Sequence, residues 1–187
     1  GPILDVTAID GLRGVHASDI GWRIGATTTW TDIIRADLPP SFDALKSAAR
    51  EVGSMQIQNA GTIAGNLCNA SPAADGVPCL LALDATVELV SADASRTMAL
   101  GNFITGPRQT ALRPNEMLMA IHIPRDSGRG RSHFLKLGAR KYLVISIAMV
   151  AARVAVKDGV IAQAAVSVGA CSALAVRLAK VEAALIG

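Results

Sequence analysis

The segment N-A-G-T-I-A-G-N-L-C-N-A-S-P-A-A-D-G-V-P, residues 59–78, holds few side chains that could pack a hydrophobic core. Its glycines at positions 61 and 65 permit positive φ angles and a close approach of the backbone to another molecule. Successive backbone N–H groups in such segments form concavities that hold phosphate oxygens. The segment therefore predicts either a phosphate-binding loop or an ordinary connection between a helix and a strand.

The composition excludes nucleic-acid binding. With 187 residues the chain has the length of one domain or two small ones, and its 51% of hydrophobic residues supply a sizeable core. Only 3% of the residues are aromatic, which is too few for the stacking surface of a single-stranded nucleic-acid binder. We therefore expect no nucleic-acid partner.

The cysteines and the hydropathy pattern indicate a cytoplasmic protein. Cys68, Cys79 and Cys171 lack the paired spacing of a zinc site or an iron–sulfur cluster, and their odd number suits a reducing compartment. The longest apolar candidate, residues 143–156, is interrupted by Arg153 and is shorter than the roughly 18 residues of a membrane span. We expect neither a signal peptide nor a membrane partner.

Upstream of the segment, alternating strand and helix patterns are expected. Residues 2–9 and 21–26 are predicted as strands, and threonines at 27–29 offer N-caps for a helix from Trp30 to Arg35. A second helix is predicted over residues 42–52, because its apolar side chains recur at helical spacing.

Downstream, a short helix is followed mainly by strands. The elements are a helix at 77–83, a hairpin of strands at 86–91 and 96–100, strands at 117–123, 133–137 and 160–169, and a terminal amphipathic helix at 175–186. The basic run from Arg125 to Arg131 is interpreted as a solvated turn or a docking patch, and it marks the expected domain boundary.

Two common phosphate-binding motifs are absent from the sequence. The dinucleotide-binding fingerprint requires G-x-G-x-x-G directly after a strand, whereas here the spacing is G-x-x-x-G after a predicted helix. No G-K-S/T follows the glycines, so a Walker-type loop is also excluded. A ligand at this segment therefore requires another kind of fold.

The segment G-T-I-A-G-N at residues 61–66, with A-S-P at 70–72 and Asp75, resembles the G-T-I-G-G-N…A-S-P-x-x-D signature of the FAD-binding subunit or domain of molybdenum hydroxylases, the xanthine dehydrogenase and carbon monoxide dehydrogenase family. Further similar motifs follow in the family's order: I-G-A-T-T at 24–28, Phe103 with Gly106, Arg108 and Thr110, Pro114 with Glu116 and Leu118, Ile121 to Pro124, and Phe134 with Lys136 and Arg140. The chain departs from the family at Ala64, where the family has glycine, and at Gln58, where it has arginine.

The resemblance implies an α+β protein with a PCMH-type FAD-binding fold. It places the FAD-binding domain at residues 1–124 and a small α+β C-terminal flavoprotein domain at 132–187. Relative to the family pattern, we expect the first domain to lack its N-terminal segment, which carries a pyrophosphate loop, and the second domain to be truncated.

The resemblance also implies a function in electron transfer. The substrate would be hydroxylated at the molybdopterin of a molybdenum subunit, and the electrons would pass to 2Fe-2S clusters on an iron–sulfur subunit. FAD would take the electrons from these clusters and pass them to NAD or another acceptor. A flavin suits this step because it exchanges electrons singly or as a pair. The alternative is a structural or interaction module of such a complex that no longer binds flavin.

We expect no catalytic residue that acts as an acid or a base, and no metal site. The resemblance assigns the cofactor-binding residues by motif position. Thr62, Ile63, Ala64, Gly65 and Asn66 would line the FAD phosphate or ribityl region, Asp75 would bond a ribose hydroxyl, Leu118 would meet the ring system and Lys136 its pyrimidine end. Each of the last three has a structural alternative: a helix cap for Asp75, a core strand residue for Leu118 and a surface cation for Lys136.

Overall fold

Short helices and antiparallel sheets make up residues 4–187, the part of the chain that the computed structural model describes. The strands are β1 (Val15–Ser18), β2 (Gly21–Gly25), β3 (Thr86–Val90), β4 (Ser95–Ala99), β5 (Ile104–Gly106), β6 (Gln109–Thr110), β7 (Met117–Pro124), β8 (Arg131–Leu137), β9 (Ala148–Lys157), β10 (Val160–Gly169) and β11 (Val176–Arg177). The helices are α1 (Trp30–Arg35), α2 (Asp43–Glu51), α3 (Met55–Ala60), α4 (Ile63–Asn69), α5 (Gly76–Ala82), α6 (Leu100–Phe103) and α7 (Ala179–Leu185), with 3₁₀ turns at Pro40–Phe42 and Arg125–Gly128.

The strands form two main sheets. The first has the order β1-β2-β7-β3-β4 and the second the order β11-β10-β9-β8, while β5 and β6 form a separate ribbon. Helices lie between them: α4 contacts β7 of the first sheet, whereas α2 and α5 contact β9 of the second. One continuous core therefore joins side chains from both sheets, for example Ile121 of β7 and Ala151 of β9.

Helix α1 begins where the sequence predicts, because Thr29 and Asp32 form a capping box. The Thr29 hydroxyl accepts the Asp32 N–H at 3.2 Å, and the Asp32 carboxylate accepts the Thr29 N–H at 2.9 Å. The preceding residue, Thr28, is fully buried; its hydroxyl accepts the Gly14 N–H at 2.9 Å and donates to the Gly14 carbonyl at 3.1 Å. These bonds join the turn between β2 and α1 to the residue that precedes β1.

Helix α5 lies in the middle of the core, and all of its residues, Gly76–Ala82, are buried. Two arginines of the second sheet bind its C-terminal end. Arg153 donates to the Ala82 carbonyl at 2.9 Å and Arg177 donates to the Leu81 carbonyl at 2.9 Å. Both also pair with Asp84, at 2.9 and 2.7 Å. Cations at this position satisfy carbonyls that have no partner within the helix and match the direction of its dipole.

Three sequence predictions need correction. Residues 59–78 do not form one loop, because Thr62 caps a further helix, α4, and α5 follows. Of the strand predicted at residues 2–9, the first two lie outside the described residues, and residues 4–9 contain a hydrogen-bonded turn instead of a strand. The terminal helix is shorter than predicted because residues 176–177 pair with β10 as β11.

Within residues 4–187, no helix has both the length and the apolar composition needed to cross a bilayer.

Replacing Thr28 by valine should destabilise the protein by about 1–3 kcal/mol, because the Gly14 N–H then loses its buried acceptor. Thr28→Ser keeps the hydroxyl and should cost clearly less. Urea unfolding followed by circular dichroism measures both changes. Since valine keeps the methyl group and serine loses it, a larger loss for Thr28→Ser than for Thr28→Val would show that packing of the methyl group matters more than the hydrogen bonds.

The stability of the protein should fall in acid partly through Glu116. Hydrogen bonds from Arg96, together with the Arg113 N–H, lower the pKa of Glu116 from 4.5 to about 2. A carboxylate with a depressed pKa stabilises the fold above its unfolded pKa and loses this contribution as the pH falls toward the folded value. Between about pH 5 and about pH 2.5, Glu116→Gln should therefore lose less stability than the parent.

The matched control is Glu51→Gln, since Glu51 forms no ion pair among the described residues. Unfolding at several pH values should give parallel curves for this variant and the parent. A Glu116→Gln curve that also runs parallel to the parent would contradict the assignment.

Candidate functional site

The start of α4 is joined to the turn between β2 and α1. Thr29 and Thr62 form an isolated antiparallel bridge, and the Ile63 N–H donates to the Thr28 carbonyl at 2.9 Å. The Trp30 N–H donates to the Gly61 carbonyl at 3.2 Å. The threonine-rich turn and the glycine segment, which are far apart in sequence, therefore form one surface.

The backbone donors at the start of α4 are already engaged. The Gly65 N–H bonds to the Thr62 hydroxyl at 3.0 Å, the Ala64 N–H to the Ala26 carbonyl at 3.4 Å and the Asn66 N–H to the Thr62 carbonyl at 3.1 Å. The side chains of Ile63 and Ala64 are buried in the core. In this arrangement these N–H groups cap the helix and join it to the turn, so they do not form the open cradle that the sequence predicted.

Asn66 is the residue of this stretch whose side chain remains available. Its Oδ1 atom is buried and has no hydrogen-bond partner among the described residues. A Cβ built on Gly76 would lie 3.1 Å from this oxygen and 2.6 Å from Cη2 of Trp30, so only glycine leaves this space. Buried polar atoms are almost always paired. An unpaired amide oxygen beside a glycine therefore fits a site for a hydroxyl or amide donor of a bound molecule.

Asp75 lies directly before Gly76 and forms a buried ion pair with Lys136 of β8. The Lys136 ammonium is 2.6 Å from Oδ2 of Asp75, and each side chain is 8% exposed. The hydroxyl of Ser146 donates to Oδ1 at 2.6 Å. The structure thus brings Asp75 and Lys136 together, and it places Asn66 beside Gly76, the residue that follows Asp75.

The structure agrees with only one of the three structural alternatives, the core position of Leu118. Asp75 stands at the N-cap position of α5, but its side chain makes no capping hydrogen bond among the described residues. Lys136 is not a surface cation. Leu118 is 3% exposed in β7, opposite Leu89 of β3, and packs in the hydrophobic core. Leu118 is therefore a core strand residue in this structure.

Sequence analysis missed Ser146 and Trp30. Ser146 lies in the irregular connection between β8 and β9, where no spacing marks it out. The sequence predicts Trp30 only as the first residue of a helix. In the structure its ring fills the space beside Gly76, and it also lies against Gly61. The proximity of a glycine-rich segment to a large aromatic side chain emerges only from the tertiary fold.

The helices between antiparallel sheets define a mixed α/β domain. The family described as the FAD binding domain in molybdopterin dehydrogenase matches residues 1–126. The chain belongs to this family.

Curated relatives are FAD subunits of dehydrogenases. The nicotinate dehydrogenase FAD-subunit of Eubacterium barkeri is 38% identical over 78% of this chain and 50% of its own length. The xanthine dehydrogenase FAD-binding subunit of Escherichia coli O157:H7 is 31% identical over 96% of this chain and 63% of its own length. This chain thus spans about half to two thirds of these relatives.

Solved structures of carbon monoxide dehydrogenases have the same fold. A chain of the reconstituted CO dehydrogenase from Oligotropha carboxidovorans matches with a TM-score of 0.88 and 27% identity, over 95% of this chain and 62% of that chain. The match extends beyond residue 126, so it includes most of the second sheet.

Gly76→Ala should destabilise the protein by about 1–3 kcal/mol, because the new methyl group would overlap the rigid Trp30 ring. Gly101→Ala is the matched control. Its Cβ would meet only Leu81 at 3.8 Å, and alanine favours a helix over glycine. Thermal unfolding should show a loss for the first variant and none for the second; equal behaviour would contradict the steric argument.

Proposed function

We propose that this chain is the FAD-binding part of an electron-transfer subunit in a molybdenum hydroxylase. The observation that carries the proposal is the buried, unpartnered amide oxygen of Asn66 beside Gly76 and the Asp75–Lys136 pair. These residues stand at the motif positions of a family whose described function is FAD binding. A buried amide oxygen without a partner supports a bound molecule that supplies a hydrogen-bond donor.

The residues present fit FAD at some positions and not at others. Asn66 offers its amide and Lys136 its ammonium, whereas the side chains of Ile63, Ala64 and Leu118 are buried in the core. Half-buried Thr62 and exposed Gly65 lie at the start of α4 and would border the cofactor. When bound, FAD supplies one- and two-electron transfer, and the protein's own residues bind and orient it.

The proposed partners are an iron–sulfur subunit with 2Fe-2S clusters and a molybdenum subunit with molybdopterin. Electrons would pass from the clusters to FAD and then to NAD or another acceptor. All three cysteines are unpaired in the part of the chain that the structure describes, which supports a reducing compartment such as the cytoplasm.

We further propose two domains, a PCMH-type FAD-binding domain at residues 1–124 and a C-terminal flavoprotein domain at 132–187. Support comes from the two sheets, since the first ends with β7 at Pro124 and the second begins with β8 at Arg131. The family match ends at residue 126, in the 3₁₀ turn between them.

A structural module without flavin is the second candidate. The observation in its favour is that the N–H groups of residues 63–66 all have acceptors within the chain. Such a protein would keep the fold and its partners but remain colourless.

Asn66→Ala should reduce the FAD content of the purified protein several-fold, because the amide faces the proposed ligand and makes no side-chain hydrogen bond within the described residues. Asn102→Ala, on the exposed surface of α6, is the control and should retain the parental content. Flavin absorbance relative to protein measures both, and circular dichroism checks the fold. Unchanged flavin content in Asn66→Ala, or a folded parent that takes up no FAD, would overturn the proposal.

A further inference from the structure

Four neighbouring strands of the first sheet place polar side chains in one row. His16 of β1 lies opposite Arg23 of β2. Arg23 in turn lies opposite His122 of β7, which lies opposite Thr86 of β3. Residues directly opposite one another have Cβ atoms within about 5.5 Å on one face of a sheet. This polar row, His16, Arg23, His122 and Thr86, therefore gathers a guanidinium, two imidazoles and a hydroxyl in one group.

The polar row lies on the face of the sheet that is turned away from the core. Successive residues of a strand point to opposite faces, and the neighbours Ile24, Ile121 and Val87 are fully buried in the core that the helices share. By contrast, the side chains of Arg23 and His122 are 31% and 34% exposed. The polar row is therefore accessible from solvent and does not pack against the helices.

All four residues of the polar row line one cavity of about 380 Å³. Small-molecule sites have volumes of roughly 300–1,000 Å³ and combine mainly apolar walls with a few polar groups. Ala17, Ile20, Ile123 and Pro124 supply apolar lining here. Ile20, in the turn between β1 and β2, is 84% exposed, so its side chain is free to contact a bound molecule.

Arg23 does not form the paired hydrogen bonds that other arginines of this protein form with carboxylates. Its Nη1 donates to the Gly11 carbonyl at 2.8 Å, and its Nε is 3.7 Å from the Glu88 carboxylate. Arg96, by contrast, binds both oxygens of Glu116 at 2.8 Å each. A bidentate bond of this kind is among the strongest that an arginine forms, and Arg23 lacks it within the described residues.

Two carboxylates of the chain lie close to the polar row and are engaged elsewhere. Oε2 of Glu88 is 2.8 Å from Nε2 of His122. Asp84 lines the cavity, but its carboxylate pairs with Arg153 at 2.9 Å and with Arg177 at 2.7 Å. Within residues 4–187, neither carboxylate is a bidentate acceptor for the guanidinium in the cavity wall.

We propose that this cavity binds a small organic carboxylate with an apolar body. The carboxylate accepts two hydrogen bonds from Arg23, whose planar fork matches its geometry. The apolar body lies against Ile20 and Pro124 and removes their surface from water. The inference does not depend on flavin binding, so it stands or falls separately from the proposed function.

Isothermal titration calorimetry of the complete protein with benzoate and with hexanoate tests the proposal. Benzamide is the matched control, because it has the ring of benzoate without the charge. At least one of the two acids should bind with a dissociation constant below about 1 mM, and benzamide should bind at least about tenfold more weakly than benzoate. No saturable binding of either acid, or equal affinity for benzoate and benzamide, would overturn the inference.

Arg23→Gln should weaken binding of the acid at least about tenfold, because the bidentate bond is lost. Arg23→Lys keeps the charge without the fork and should fall between this variant and the parent. Arg131→Gln, at an exposed arginine of β8, is the matched control and should bind like the parent. Parental affinity in a folded Arg23→Gln would contradict the assignment of the site.

Should Arg23→Gln fail to fold, nuclear magnetic resonance of the parent decides. The chain has three histidines, of which two belong to the polar row and the third, His133, lies on β8. Titration with benzoate should shift the imidazole signals of His16 and His122 and leave those of His133 unchanged. Unchanged signals from His16 and His122, or equal shifts of all three histidines, would overturn the inference.

Discussion

Helix α5 must satisfy its polar ends inside the protein, because every residue from Gly76 to Ala82 is buried. A helix end without water needs hydrogen-bond partners from the rest of the chain. The second sheet supplies them at the C-terminal end, where Arg153 and Arg177 donate to the last carbonyls, and Lys136 of the same sheet pairs with the Asp75 carboxylate just before the helix. The orientation of this sheet relative to the helical layer is therefore restricted by hydrogen bonds as well as by apolar packing.

The candidate site is a result of the same arrangement. The carboxylate that precedes α5 pairs with a cation from β8, and the first residue of the helix must be glycine because Trp30 occupies the space of a side chain. The unpaired oxygen of Asn66 lies beside that glycine. Since removing one partner of a buried ion pair is costly, the polar groups of the site and the core of the protein depend on each other.

Local signals in the sequence were sufficient for much of the fold. Helix α1 was predicted from the threonines at 27–29 as caps, and the hairpin of β3 and β4 from the strand patterns at 86–91 and 96–100. The shortest elements were not predictable in this way: β1 is four residues long with three exposed, and β11 has only two residues. Each pairs with a neighbouring strand, β1 with β2 and β11 with β10, but both are too short for an alternating pattern to mark them as strands.

The site was only partly accessible from sequence for a related reason. Motif positions brought Asn66, Asp75 and Lys136 to attention, but whether a backbone N–H is free or bonded depends on tertiary contacts such as that between Ile63 and Thr28. The role of Ser146 could not be predicted because a serine in an irregular connection has no distinguishing pattern.

The continuous core has a consequence for how this region evolves. The family match ends at residue 126, yet Phe134, Met149 and Ala165 from beyond that point belong to the same core cluster as the first sheet. The region that the family match covers is thus smaller than the region that shares one core. A recombination event that exchanged only the matched region would leave α5 facing a foreign sheet, so we expect the two parts to be inherited together.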